Sequence, residues 1–351
     1  MKNKLVYCKL GFALLLTTNA HAGGTIKIDD TKWISVGVGL RTTFTRVENA
    51  ENNGDSKDFD LEDIRVYING QIHKHIQFEV NTFKNGSSAD LLDGVVKFDY
   101  KGINLWMGRF LPPSDRANMS GPFYGGNWYM PVVSFGVAGE VSPVAAGRDD
   151  GVAIWGMAAG ERLKWKIGAF EGGVNGDADN LMYAGSLRYN FWDTEAGYYN
   201  ASTYYGEKDI LSIGGSFAIQ TEAVSATQDY TAWHLDGLLE KNFNGLVATL
   251  ETGFYSNDRD GGGTEAVFSE GEGYFVLGAY QLGDWKTSVR FQAWEPDING
   301  APDTERFDVG LGYIIDGHNA RISLNWTDNF NNAVETASEQ DAITLGVQIQ
   351  L

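Results

Sequence analysis

From position 33 to 47 the chain alternates with a period of two. Ile34, Val36, Val38, Leu40, Thr42 and Phe44 occupy one set of positions. Trp33, Ser35, Gly37, Gly39, Arg41, Thr43 and Thr45 occupy the other. Such alternation marks a strand with one apolar and one polar face. The pattern returns at 64–69, 76–81, 96–100, 103–110, 151–159 (with ambiguous facing), 163–169, 183–191, 209–220, 233–240, 245–256, 273–281, 285–293, 306–313, 321–326 and 343–351. This predicts sixteen strands, and strands of roughly 9–11 residues cross a bilayer when tilted. No stretch has about 18 consecutive apolar residues, so no transmembrane helix is expected.

The connections alternate between long polar loops and tight turns such as Lys101-Gly102 and Gly283-Asp284. That rhythm belongs to membrane barrels, with short periplasmic turns and longer external loops. Residues 193–208 are the hardest to assign. They read as an extended connection, because a strand there would invert the rhythm downstream. The expected fold is all-β: a transmembrane antiparallel β-barrel of about sixteen strands, apolar face to lipid and polar face to the lumen. Its last strand runs to Leu351 and is expected to close against the first, leaving no open edge. The 44 glycines, 13% aromatic content and seven prolines fit this reading.

Residues 1–22 read as a secretory signal peptide: Lys2, Lys4 and Lys9, an apolar run from Leu10 to Leu16, then Ala20-His21-Ala22. The remainder, 23–351, is the expected barrel, placed in a Gram-negative outer membrane. The only cysteine, Cys8, lies in the leader, which excludes disulfides and thiolate metal sites from the rest. Formal charge is −19, and the three leader lysines make the remainder −22. Nucleic acid, which requires a basic face, is excluded as a partner.

One stretch breaks the pattern. Residues 111–149 hold five of the seven prolines and no sustained periodicity. A long irregular segment in a regular β protein is commonly functional. As the third long connection, it is expected to fold into the lumen and narrow the bore. Arg116 and Arg148 are its candidate eyelet charges. Phe123, Tyr124, Trp128 and Tyr129 supply an aromatic surface or pin the loop to the wall by burying apolar area.

Met107-Gly108-Arg109-Phe110-Leu111-Pro112-Pro113, Arg148-Asp149-Asp150-Gly151-Val152, Tyr204-Tyr205-Gly206-Glu207-Lys208-Asp209-Ile210 and Ile315-Asp316-Gly317-His318-Asn319-Ala320 resemble the phosphate-selective porin family, of the O/P type. The resemblance covers most of 23–351 through short pieces. It implies a homotrimeric sixteen-stranded porin whose third loop enters the lumen and whose basic side chains guide anions such as phosphate. The chain departs from that pattern in its acidic balance and in ending at Leu351 rather than at an aromatic.

Strand parity puts Arg41, Arg65, Lys97, Lys164, Lys166, Arg188, Lys286, Arg290, Arg306 and Arg321 on the lumen face. It puts Asp63, Glu79, Asp93, Asp99, Asp236, Glu240, Glu251 and Asp308 there too. These bases are expected either to guide anions or to pair across strands with the acids. The balance supports at most a weak anion preference. Excess acid falls in loops, at positions such as Glu48, Glu51, Asp177, Asp260, Glu265 and Glu335, facing solvent or, through divalent cations, lipopolysaccharide. No cofactor, no metal site and no catalytic residue is expected. His73-Lys74-His75 reads as a polar turn, and no nucleophile motif accompanies His234 and Asp236. The expected function is passive diffusion of small hydrophilic solutes. The alternative is a non-conducting barrel scaffold or adhesin whose acidic loops bind a partner.

Overall fold

A computed structural model describes residues 23–49, 54–85, 87–134, 136, 147–173, 180–225, 228–259, 270–297, 301, 303–331 and 341–351. The expected signal peptide lies outside the described residues. So do Glu51, Asp177, Asp260, Glu265 and Glu335 of the acidic loops.

A short N-terminal strand, β1 (Gly24–Lys27), precedes the barrel. The barrel strands are β2 (Trp33–Asn49), β3 (Gly54–His73), β4 (Ile76–Asn85), β5 (Ser88–Tyr100), β6 (Ile103–Phe110), β7 (Asp149–Ala158), β8 (Leu163–Phe170) and β9 (Met182–Asn190). They continue as β10 (Ile210–Ser225), β11 (Gln228–Phe243), β12 (Leu246–Arg259), β13 (Gly271–Leu282), β14 (Trp285–Pro296), β15 (Thr304–Asp316), β16 (Ala320–Asn331) and β17 (Ala342–Gln350). Each of β2 to β17 pairs antiparallel with its sequence neighbour, and β17 pairs with β2 through Ile349↔Leu40 and Ala342↔Val47. The sheet is therefore a closed sixteen-stranded barrel. Strand β1 pairs with residues 33–36 of β2, and the Leu351 and Val38 backbones exchange hydrogen bonds just beyond. One side of β2 is thus covered end to end by β1 and β17, and no edge is left open there.

Every expected strand is present, and 191–209 contains none. The loops are shorter than the sequence reading placed them. Residues 48–60 read as loop, yet Thr45↔Asp58 and Val47↔Ser56 extend the β2–β3 ladder until Asn49 meets Gly54. Likewise β4 runs on to Asn85, β10 to Ser225 and β16 to Asn331. Here both strand faces are polar, so the alternation vanishes while the backbone ladder continues. An unpaired backbone group is as costly beside polar side chains as beside apolar ones.

The alternation sets the facing. Val36, Leu235, Leu250, Leu324 and Leu345 are 46%, 52%, 48%, 47% and 46% exposed, while their inward neighbours Ser35, His234, Glu251, Asn325 and Thr344 are at most 3% exposed. In water an apolar surface of this extent would drive association. Here it is the lipid face, with Trp285, Tyr313, Tyr280 and Phe243 clustered near the tight turns as an interfacial aromatic belt. A closed, even-stranded barrel with an apolar outer band is an outer-membrane architecture. The chain accordingly belongs in the Gram-negative outer membrane.

Candidate functional site: the barrel interior

Two segments that are not strands fill the inside of the wall. The first joins β6 to β7 and is described over 111–134. Over those residues its one helix is α1 (Arg116–Ser120), a five-residue helix too short to register in the sequence pattern. Asp115 caps it by accepting from the Asn118 backbone N–H at 3.2 Å. The same carboxylate accepts from Ser134 Oγ at 2.9 Å and from the Tyr255 hydroxyl at 3.0 Å, which ties α1 to β12.

Downstream of the helix, wall side chains hold this segment by its backbone. Arg41 Nη2 donates to the Trp128 carbonyl at 2.6 Å, and Arg290 Nη1 to the Tyr129 carbonyl at 2.7 Å. Arg321 donates to the Gly125 and Pro122 carbonyls, both at 3.2 Å. Gln348 Nε2 donates to the Phe123 carbonyl at 3.0 Å. Trp128 is 1% exposed, and its ring lies where a side chain at 346 would stand. A Cβ there would fall 2.5 Å from it, so Gly346 is required for the close approach. The partners come from β2, β14, β16 and β17, one contiguous arc of the wall.

The second segment, 191–209, joins β9 to β10 at the end of the barrel that carries the tight turns. Every other described connection at that end is a few residues long. Glu195, Tyr198, Ala201, Ser202 and Thr203 are buried, so this segment also folds inward. Two of its anchors are acids. Glu240 accepts from Thr203 Oγ1 at 2.7 Å, the Tyr204 N–H at 2.9 Å and the Gly206 N–H at 3.0 Å. Glu251 accepts from Ser202 Oγ at 2.6 Å. Tyr198 stacks on Trp106 with ring centres 4.4 Å apart, within an apolar cluster of Phe110, Phe170, Met182 and Tyr230 inside the wall.

The two segments meet. Arg116 donates twice to the Glu195 carboxylate, both bonds at 2.7 Å, and also to the Ala201 carbonyl at 2.6 Å. Both side chains are essentially unexposed. Burial pushes the Glu195 pKa up and the guanidinium pulls it down; the guanidinium prevails and holds the carboxyl well below its usual range. The Ser202 N–H donates to the Tyr124 carbonyl at 3.0 Å, and the Tyr198 hydroxyl to the Leu111 carbonyl at 2.9 Å. His318, in the β15–β16 turn, sits between the Tyr124 and Tyr205 rings at 4.7 and 4.8 Å. Its Nε2 lies 3.0 Å from the Thr203 carbonyl oxygen. Burial, helped by Arg321, brings the imidazole pKa down to about 3.

All ten bases assigned by parity face inward. Arg65 pairs with Asp63, Lys97 with Glu79, Arg188 with Asp236, and Arg290 and Arg306 with Asp308. Arg41 lies 3.5 Å from Glu62 and over the Trp128 ring at 4.1 Å. Lys164 donates to the Tyr199 carbonyl at 3.2 Å, and Lys166 lies over the Tyr198 ring at 4.7 Å. Arg321 holds the loop carbonyls, and Lys286 lies over the Tyr205 ring at 5.1 Å. In the first segment Arg116 is clamped by Glu195, and Arg148 meets Asp93 at 3.2 Å. Asp99, assigned inward, is exposed at the end of β5. The remaining partly exposed inner positions include Tyr67, Asn69, Gln77, Glu79 and Lys97 on β3 to β5.

The sequence reading gave 191–209 no role and so missed Glu195. One signal was available: a connection that long at the short-turn end has to go somewhere, and Tyr198, Tyr199, Tyr204 and Tyr205 do not suit an open tail.

No protein-family model matches the chain, and no curated protein matches it. Solved structures do. The anion-selective porin from Comamonas acidovorans superposes with a TM-score of 0.63 at 11% identity, over 91% of this chain and 100% of that one. OprB of Pseudomonas putida gives 0.64 at 8% identity, over 91% and 94%. Outer-membrane expressed OmpT of Vibrio cholerae gives 0.57 at 12% identity, over 93% and 100%. At such identities the likeness shows the fold: this chain is folded as a porin-type barrel.

Proposed function

We propose that the protein is a narrow passive channel for small hydrophilic solutes, with a weak preference for anions such as phosphate. The observation that carries this reading is the partly exposed polar strip on β3 to β5. Glu79 and Lys97 keep 13% and 17% of their side chains exposed, as Glu62 and Arg306 do elsewhere on the wall at 19% and 16%. Water that reaches a polar strip inside a closed barrel has a route along the bore. The first segment, 111–149, sets its width. The preference is weak because Arg65, Lys97 and Arg148 beside this strip are each matched by Asp63, Glu79 or Asp93. Paired charges leave little net field for a passing ion. Homotrimer formation and contact with lipopolysaccharide through the acidic loops belong to the same proposal, the former by resemblance to trimeric porins.

Reconstitution in a planar bilayer under a salt gradient tests it. The expected result is a small conductance with a reversal potential slightly toward the anion. Equal or cation-favouring permeability removes the selectivity; absence of conductance removes the channel. A second reading, a closed barrel serving as scaffold or adhesin, draws support from the two segments that pack against each other inside the wall. It predicts no conductance from the intact chain.

A further inference from the structure

The inner face of β14, β15 and β16 carries a notch. Ser288, Gly310 and Asn325 are cross-strand partners in one row, and Lys286, Gly312 and Ser323 form the next inward row. The central residue of both rows is glycine; the space over Gly310 is taken by Ser288 Oγ, Asn127 Oδ1 and Asn325 Oδ1, and the opening lies at Gly312. A Cβ at 312 would meet nothing closer than Ile314 Cδ1 at 3.5 Å. Gly126, Asn127 and Trp128 of the first segment close the notch from the bore side, and Arg321 borders it. The cavity measures about 20 Å³, more than the roughly 10–15 Å³ that one small occupant such as a water needs.

The charges around this cavity do not balance. Lys286 is 6% exposed, and its Nζ has no hydrogen-bond partner among the described residues. Its one close companion is the face of Tyr205. Arg321 is 4% exposed, and its bonds go to neutral acceptors: Gln348 Oε1 and the Gly125 and Pro122 carbonyls. Asn325 is 3% exposed with Nδ2 unpartnered. No carboxylate lines the cavity. Glu240 and Glu251 act on Lys286 from farther away, but they are bonded to Thr203, Thr249, Ser202 and the 204 and 206 backbone. Buried charges are kept where they are paired. A water here would satisfy hydrogen bonds and leave the charge uncompensated.

We propose that the notch binds one small inorganic anion of halide size. Lys286 Nζ, Asn325 Nδ2 and the Ser288 and Ser323 hydroxyls are the donors available to it, and it serves as counter-ion to Lys286 and Arg321. It fastens residues 126–128 to the wall and has no part in permeation, so it stands apart from the channel reading.

Crystals of the full folded chain grown in sodium bromide test this directly. A bromine anomalous peak in the notch beside Lys286 is expected. A water peak there without anomalous signal overturns the proposal. In solution, the urea-unfolding midpoint of the detergent-folded protein is compared in chloride and in gluconate at equal ionic strength. The wild type is expected to shift upward in chloride and saturate. Lys286→Gln removes the cation and should abolish the shift. Gly312→Ala keeps every charge and has room for its methyl group, yet it narrows the notch and should also abolish the shift. A wild-type midpoint indifferent to the anion, or a full shift retained in Gly312→Ala, overturns the proposal.

Discussion

The two inward segments are held by opposite chemistry. Residues 111–134 present backbone carbonyls, and the wall answers with donors: Arg41, Arg290, Arg321 and Gln348. Residues 191–209 present hydroxyls and backbone N–H groups, and the wall answers with the acceptors Glu240 and Glu251. The near balance of acids and bases on the lumen face therefore has a structural origin. Bases bond mainly to the first segment and acids mainly to the second, with Lys164 on the Tyr199 carbonyl and Asp236 on the Arg116 N–H as exceptions, and Arg116 with Glu195 joins the two. A count of lumen charges says little about a permeating ion when so many of those charges are already engaged.

The comparison breaks most visibly if one segment is removed. Deleting 114–146 is expected to raise single-channel conductance several-fold by opening the side of the bore along β14 to β17 and β2. A bilayer recording that shows no change would mean the second segment alone obstructs the passage. Deleting 193–207, bridged by a short glycine linker, should open the β9 to β12 side instead. A smaller gain is expected there, because the apolar cluster around Trp106 and Phe110 still fills part of that side.

The junction comes next. Arg116→Met leaves Glu195 buried without its partner, and removing one member of a buried pair costs about 3–5 kcal/mol. The urea midpoint should fall accordingly. Arg116→Met combined with Glu195→Met should recover most of that loss, since the pair as a unit contributes far less than breaking it costs. If the double variant is as unstable as the single one, the bonds from Arg116 to Ala201 and Ser212 matter more than the ion pair.

Acid should loosen the same junction at His318. Its folded pKa, about 3, lies below the ordinary 6.5, so the unfolded chain takes up the proton first. Stability is full above the unfolded value and is lost as pH falls toward the folded one, at up to roughly 1.4 kcal/mol per pH unit. His318→Gln should remove this limb between pH 6.5 and about 3. It should leave the limb from Glu195, whose depressed pKa withdraws stability progressively as pH falls through and below the ordinary carboxylate value of about 4.5. Identical pH profiles for variant and wild type would show that His318 is not part of the junction's acid response.

The smallest effect is expected at Gly346. Gly346→Ala pushes a methyl group into the Trp128 ring and should cost about 1–3 kcal/mol, as overpacking does. The loss should appear in thermal stability, with conductance shifted slightly as the loop moves off the wall.

The period of two carried most of the fold. Because each barrel strand has one face in lipid and one in the lumen, apolar and polar residues must alternate, and Trp33 to Thr45 or Trp285 to Ala293 show it without any tertiary information. The same parity turned Arg41, Lys164 and Arg290 inward, since a charge facing mid-membrane lipid costs roughly 2–4 kcal/mol. The irregularity of 111–149 was legible because it does not alternate, and the non-strand character of 193–208 because a strand there would invert the rhythm of long loops and short turns. Strand ends were not legible, because beyond the membrane both faces are polar and pairing leaves no pattern.

What the inward residues do was decided only by tertiary structure. Arg116 looked like an eyelet charge, and its partner Glu195 lies 79 positions away in a segment the periodicity left without a role. Glu240 was one acid among eight until 191–209 folded back onto it. Alternation along a strand reports which solvent each face meets. It carries no information about which distant backbone a buried arginine will hold, because that depends on where two aperiodic segments come to rest inside the closed wall.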